Sequence, residues 1–240
     1  MSNWSRYNSK SKDGKFLIKF LSEKHLSDFF KTGEIWFSRA DKFGDKMECA
    51  TIDDLKTNPF NFKKLTERKE KHLISCWHNV GRESISMWDT SFKKPEDRRI
   101  YALKFPAIEF VNHISICFFS DDLEKVIKEK LMGRVIYKNL LKNTKELEED
   151  RVRRVAFRKE YSFNYEQEFR FVVRGSTPFS KEGYGLKIDN SSNINYSVMV
   201  NPLLEKKDYK KYLETLKEHP IGKHKHKNSE LVKWLKPTEW

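Results

Sequence analysis

The sequence lacks most of the features that mark a secreted, membrane-embedded or zinc-stabilised protein. It has only three cysteines in 240 residues, Cys49, Cys76 and Cys117, and they are far apart. Because no Cys-x-x-Cys pair occurs, the spacing indicates neither a structural zinc site nor a disulfide framework. No run of about 18 apolar residues occurs, so we expect no transmembrane helix and no membrane partner. The polar start MSNWSRYNSKSKDGK has no apolar segment typical of a signal peptide, so we expect a cytoplasmic protein.

Acidic residues are also fewer than basic residues. The chain carries 48 Lys and Arg against 35 Asp and Glu, which gives a formal net charge of +13. Clustered cations favour a polyanionic partner, because binding to phosphates releases counterions. We therefore predict that the protein binds RNA or single-stranded DNA, although for any one basic cluster a solvated helix face is the alternative. The candidate nucleic-acid-binding residues are Arg151, Arg153 and Arg154 in RVRR, and Lys206, Lys207, Lys210 and Lys211 in KKDYKK.

The order of apolar segments predicts one α+β domain with a mixed, mostly antiparallel sheet flanked by helices. We divide the chain into a polar N-terminal segment (1–14), the α+β domain (15–220) and a basic C-terminal tail (221–240). The predicted strands are FLIKFL (16–21), EIWFS (34–38), a short one in HLISCWHN, RIYALKF (99–105), GRVIYK (133–138), YEQEFRFVV (165–173) and SVMV (197–200). The predicted helices are SEKHLSDFFKT, SISMWDTSF, FPAIEFVNHI, DDLEKVIKEKL, NTKELEEDRVRRVAFRKEY and NPLLEKKDYKKYLETLKEH, the last with Asn201 as its cap.

The stretch YEQEFRFVV holds the candidate catalytic residues. If it is a strand, Glu166, Glu168 and Arg170 share one face, while Phe169 and Phe171 share the other. Two neighbouring carboxylates beside a cation are typical of an exposed, ion-paired strand face. They are also typical of an active site in which one carboxyl acts as an acid or base. The pattern alone leaves both interpretations open.

Several motifs together form one recognisable pattern. Its positions are Phe37, Ser38, Phe43, Asp45, Glu48, Cys76, Trp77, Met87, Trp88, Lys159, Phe163, Glu166, Glu168 and Arg170. This pattern resembles that of a bacterial family of domains of unknown function, family 2971. The chain departs from the family pattern at Ser91, where a tyrosine is usual, and it lacks the glycine before RIYALKF. At a greater distance, the pattern is similar to that of the ADP-ribosyltransferases, which split NAD on a small mixed sheet.

The resemblance implies an NAD-dependent ADP-ribosyltransferase, commonly a toxin or anti-phage effector that is held in check by an antitoxin or another neutralising protein. Glu168 would hold the ribose and offset its developing positive charge, and Glu166 would position or deprotonate the acceptor. The net charge of +13 favours nucleic acid as the acceptor, RNA first, with a protein as the next alternative. The residues implied in binding NAD are Lys19, Ser84, Ser86, Trp88, Lys159 and Arg170, and no metal is expected.

Two other functions stay open at this point. A metal-dependent nuclease could use Glu166, Glu168 and Lys159 around a magnesium ion. A module without catalytic activity could instead bind nucleic acid or a protein partner.

Overall fold

The computed structural model describes residues 4–6, 14–51, 54, 61–81, 83–88, 98–139, 155–188 and 194–232, with only the backbone at 222–224. The chain divides into two compact units, each assembled from three stretches of sequence. The first unit comprises Met1–Lys12, Ile35–Cys76 and Ser115–Lys187; the second comprises Asp13–Glu34, Trp77–Ile114 and Ile188–Trp240. The predicted α+β class with mostly antiparallel strands is confirmed.

The strands of the first unit are β1 (Ser5–Arg6), β3 (Glu34–Arg39), β4 (His72–Val80), β6 (Ile127–Arg134), β7 (Ile136–Lys138), β8 (Arg158–Glu160), β9 (Glu168–Gly175) and β10 (Gly183–Lys187). They follow the order β1-β6-β9-β4-β3-β10, and a separate parallel pair joins β7 to β8. β1 and β6 are parallel, whereas β6–β9 and β3–β4 are antiparallel. The helices of this unit are α2 (Phe62–Lys69) and α5 (Asp121–Val126), with short 3-10 helices at Ala40–Lys42, Val155–Phe157 and Tyr161–Glu166.

The second unit contains β2 (Phe16–Leu21), β5 (Tyr101–Pro106), β11 (Ser197–Val200) and the last residues of β4. These strands form antiparallel pairs in the order β4-β2-β5-β11. Its helices are α1 (Glu23–Thr32), α3 (Ile85–Trp88), α4 (Ala107–Ile114), α6 (Lys206–Glu218) and α7 (Pro220–Lys225).

Each unit has a core rich in aromatic rings. In the first unit, the edge of Trp4 meets Phe171 with ring centres 5.7 Å apart. In the second, Trp77 packs on Phe110 at 4.7 Å, and Phe105 stacks on Tyr196 at 5.1 Å. Rings arranged edge-to-face or offset stabilise a core beyond the area that they bury.

Helix α1 shows how local sequence sets the element boundaries. The Ser22 hydroxyl accepts a hydrogen bond from the His25 amide, and Gly33 ends the helix in the left-handed conformation at φ 67°. Both are the residue types expected at those positions, because serine satisfies a free amide and glycine has no Cβ to clash. The prediction of this helix is confirmed.

Three predicted helices were wrong in part. DDLEKVIKEKL is helical only to Val126, after which β6 begins at Ile127. The prediction over NTKELEEDRVRRVAFRKEY lies largely outside the described residues, and its end forms a 3-10 turn and strand β8. The last helix begins at Lys206 because Asn201 instead caps a turn, accepting from the Leu203 amide at 2.8 Å.

No helix in the described part of the chain is long and apolar enough to cross a membrane.

Candidate active site

The YEQEFRFVV stretch contains a break that the sequence pattern did not indicate. Strand β9 begins only at Glu168, whereas Glu166 is the last residue of the 3-10 helix Tyr161–Glu166. Between them, Gln167 has the left-handed φ of 42°, and its side-chain amide donates to the carbonyl and side-chain oxygens of Asn164. The prediction that Glu166 lies on the strand was therefore wrong. Glu168 and Arg170 do share a strand face.

Arg170 forms the buried base of the site. Its side chain is fully buried, and its guanidinium donates to both oxygens of Glu48 at 2.7 and 3.0 Å. It also donates from Nε to Glu168 and from one terminal nitrogen to the Ala156 carbonyl at 2.7 Å. These contacts use four of the five guanidinium N–H donors, and the side chain is fully buried, so Arg170 offsets the carboxylates here.

Lys159 joins the two candidate catalytic carboxyls. Its ammonium donates to Glu166 Oε2 and, at 3.2 Å, to Glu168 Oε1. The same ammonium lies over the ring of Phe163, 4.6 Å from its centre. Both carboxyls thus converge on one cation although they come from different elements.

The environments of the two carboxyls drive their pKa values apart. Burial, the hydrogen bond to Glu168 and the Glu168 charge raise the pKa of Glu166 to about 8, against the opposing effect of Lys159. Burial alone would also raise the pKa of Glu168, but the charges of Arg170 and Lys159 hold it well below its usual range. The cluster contains three carboxyls, including Glu48, and only two cations, so retention of one proton fits the charge balance. One carboxyl is therefore ionised and its neighbour protonated near pH 7.

Tyr137 completes the surroundings of Glu168. Its hydroxyl accepts a hydrogen bond from the Glu168 amide at 2.8 Å. Burial and the nearby Glu168 charge raise the pKa of this phenol above its usual range. The tyrosine therefore stays neutral and fixes the start of β9.

Backbone strain coincides with the carboxyl cluster. Among the described residues, only Cys49 (φ 60°) and Gln167 (φ 42°) are non-glycine residues with positive φ. Cys49 directly follows Glu48, and Gln167 separates Glu166 from Glu168. Non-glycine residues persist in this conformation at a cost of about 1 kcal/mol or more, and such strain clusters at functional sites. This observation marks the cluster independently of its charges.

The remaining residues implied in binding NAD belong to the second unit. Lys19 lies over the ring of Trp77, 5.2 Å from its centre. Ser84 immediately precedes α3, and Ser86 is exposed on it. Trp88 is 2% exposed, packs edge-on against Phe20 and donates to Glu83 at 3.3 Å. Trp88 is therefore a core residue.

The predicted nucleic-acid-binding residues divide into two groups. Arg151, Arg153 and Arg154 lie outside the described residues, as does Ser91. The four lysines of α6, namely Lys206, Lys207, Lys210 and Lys211, are all exposed.

Glu48 and Tyr137 are the residues of the cluster whose roles the sequence did not indicate. Asp45 and Glu48 both match the family pattern in one loop, but Asp45 accepts from the Met47 amide at 2.8 Å and so caps a turn. Of these two, only Glu48 contacts Arg170. No spacing pattern in the sequence predicted the Glu48–Arg170 pair or the contact of Tyr137 with Glu168. Both contacts join residues that are far apart in the chain.

No model of a protein family, no curated protein and no solved structure matches the chain. The described residues also include no group of three or more His, Cys, Asp or Glu arranged to hold a metal ion.

Proposed function

We propose that this protein is an NAD-dependent ADP-ribosyltransferase in which Glu166 and Glu168 are the catalytic residues. The activity and the NAD substrate come from the family resemblance of the motifs. The observation that supports them best is the pair of carboxyls on Lys159, one ionised and one protonated near pH 7. Carboxyls whose pKa values are driven apart are typical of acid–base catalysis at a glycosidic carbon.

The reaction would proceed with the following balance of electrons and protons. The bond between the ribose carbon and the nicotinamide nitrogen breaks, and its electron pair leaves with nicotinamide. The ionised Glu168, held by Arg170 and Lys159, offsets the positive charge that develops on the ribose. A hydroxyl or amine of the acceptor then forms a bond to that carbon, and its proton passes to the ionised form of Glu166.

The pKa of Glu166 gives this proposal a testable pH dependence. A base with a pKa of about 8 is largely protonated at pH 6 and largely ionised at pH 9. If Glu166 accepts the proton, transfer should rise with pH through this range. If it acted only by donating a proton, transfer should fall.

The direct test follows labelled NAD into products. Wild type, Glu166→Gln and Glu168→Gln would each be incubated with labelled NAD and RNA, single-stranded DNA or cell lysate. Glu168→Gln should abolish transfer. Glu166→Gln should lower it by about 100-fold or more, the usual size of an acid–base contribution, and Glu109→Gln, exposed on α4, controls for loss of one negative charge. Retained transfer in a folded Glu168→Gln variant would contradict the proposal.

The charge of the chain and the family resemblance extend the proposal to the acceptor and the biological setting. A net charge of +13 favours a nucleic-acid acceptor, RNA first, over a protein. The resemblance favours a toxin or anti-phage effector that acts in the cytoplasm and has a neutralising partner. If the label passed to a protein in the lysate, the proposed transferase activity would stand, but the acceptor would be a protein and not a nucleic acid.

A module without catalytic activity is the second candidate, and one observation favours it. Arg170, Glu48, Glu168 and Lys159 satisfy one another almost completely, which is also how a buried structural ion network is arranged. In that case Glu168→Gln would lower stability, and NAD would remain intact in the presence of wild type.

A further inference from the structure

The first unit contains a cavity of about 430 Å³ that is separate from the carboxyl cluster. It lies beside α2, where β9 ends and β6 begins. Five of its nine lining residues are lysine or arginine, and one is acidic. The lining residues are Lys64, Glu67, Arg68, Lys71, His72, Lys128, Arg174, Gly175 and Ser176.

The spacing of residues along α2 explains how the cations gather. Lys64, Glu67, Arg68 and Lys71 occur at positions i, i+3, i+4 and i+7, so they share one face of the helix and of the turn that follows it. Lys128 and Arg174 reach the same cavity from β6 and β9, which pair antiparallel. Three separate segments therefore direct positive charge into one concave site.

Two of the five cations are already compensated. Arg68 is paired with Asp54, and Arg174 donates to Glu129 at 2.8 and 3.0 Å. In contrast, the ammonium groups of Lys64, Lys71 and Lys128 form no ion pair with any residue that the structure describes. Glu67 alone opposes them within the lining, so the cavity keeps an excess of about two positive charges.

His72 is the only histidine in the lining of this cavity. It is 2% exposed, and one ring nitrogen donates to the Arg68 carbonyl at 2.8 Å. Burial, with the added charges of Arg174 and Arg68, lowers its pKa to about 4. The imidazole is therefore neutral at pH 7, so the cavity depends on its lysines to attract an anion.

We propose that this cavity binds phosphate groups of a nucleic-acid strand through Lys64, Lys71 and Lys128. Lysine is a common phosphate ligand, and a concave basic site concentrates polyanions. The net charge of the whole chain, +13, favours a strand over a single small anion, because a strand provides several phosphates in succession. The inference is independent of the transfer reaction, since it concerns binding alone.

The cavity and the carboxyl cluster lie towards opposite ends of β9. Glu168 and Arg174 are six residues apart on one strand, which separates their Cα atoms by about 20 Å. Phosphate bound at Lys71 therefore does not directly contact the carboxyls, and the two sites can be tested one at a time.

The experiment measures binding of a labelled single-stranded RNA of about 12 nucleotides to the full chain, without NAD. The test variant is Lys64→Gln/Lys71→Gln/Lys128→Gln. Its control, Lys31→Gln/Lys187→Gln/Lys217→Gln, removes the same charge from exposed positions outside the cavity. The triple lysine-to-arginine variant at the three cavity positions keeps the charge and should keep the binding. Inorganic pyrophosphate serves as a small-anion competitor.

Loss of three phosphate contacts should reduce the slope of log affinity against log salt by about 2, since each contact to a single strand contributes about 0.7. At 0.1 M salt this corresponds to an affinity loss of about 100-fold, whereas the control should lose only a few-fold. Pyrophosphate should displace RNA from wild type. Equal losses in the cavity and control variants would overturn the proposal. Unchanged RNA binding in the cavity variant would also overturn the proposal, even if pyrophosphate no longer competed with RNA.

Discussion

The raised pKa of Glu166 has a consequence for stability that can be measured without a substrate. Glu166→Gln replaces a carboxyl that is protonated in the folded protein with its neutral isostere. The glutamine amide can still donate to Glu168, and its oxygen can still accept from Lys159, as the protonated carboxyl does. At low pH we therefore expect wild type and variant to be about equally stable.

At higher pH the variant should become the more stable protein. The folded pKa of Glu166, about 8, lies above the ordinary value of 4.5 that applies to the unfolded chain. The stability cost of this shift is absent below pH 4.5, grows as pH rises towards 8 and is constant above that. One pKa unit corresponds to about 1.4 kcal/mol, so the full shift sets a ceiling of about 5 kcal/mol. Because the Glu166 side chain keeps 16% of its exposure, we expect about 2 to 3 kcal/mol between pH 5 and pH 9.

Urea unfolding at intervals between pH 5 and pH 9 measures this difference directly. Other titrating groups affect both proteins alike, so the informative quantity is the variant's free energy of unfolding minus that of wild type. The difference should rise with pH. A variant less stable than wild type at every pH, by a constant amount, would show that Glu166 is ionised and simply ion-paired to Lys159. It would thereby remove the basis of the proposed acid–base role.

Two further substitutions test the geometry of the cluster. Glu48→Gln leaves the fully buried Arg170 with one carboxylate instead of two, and should lower the free energy of unfolding by about 3 kcal/mol in urea titrations; an effect under 0.5 kcal/mol would mean that the pair contributes little. Gln167→Ile should cost about 2 kcal/mol, because a β-branched residue is strained at φ 42°, whereas Gln167→Gly should cost much less; equal costs would show that the left-handed backbone is not what restricts this position.

Local sequence predicted the helices and strands whose boundaries are marked by their own residues, such as a capping serine or a terminating glycine. Helix α1 begins at a capping serine and ends at a glycine, and β2, β3 and β5 are short apolar runs, so each was found close to its observed bounds. The prediction failed where neighbouring elements overruled local preference. LEKVIKEKL has helical periodicity, yet β6 begins at Ile127 because Lys130 to Arg134 pair with β9.

The candidate site was predicted only in part for the same reason. Alternation along YEQEFRFVV indicated that Glu168 and Arg170 share a face, and this requires only a strand. The convergence of Glu48 and Lys159 on them depends on contacts across 122 and 9 residues, which no spacing rule provides. The left-handed Gln167 was also hidden, because glutamine is not a residue type that marks such a turn.

The two proposed sites lie at opposite ends of strand β9. Its even-numbered positions carry Glu168 and Arg170 at one end and Arg174 at the other, with the buried Val172 between them. At the first end, cations are fewer than carboxyls, so a proton is retained and acid–base chemistry is possible. At the second end, cations exceed carboxylates, so an anion is attracted.

A nucleic acid held by the second site would have to extend about 20 Å along the protein to reach the first. For a stacked strand rising about 3.4 Å per nucleotide, that is roughly six nucleotides. If the two sites serve one reaction, the acceptor must therefore be an oligonucleotide and not a mononucleotide.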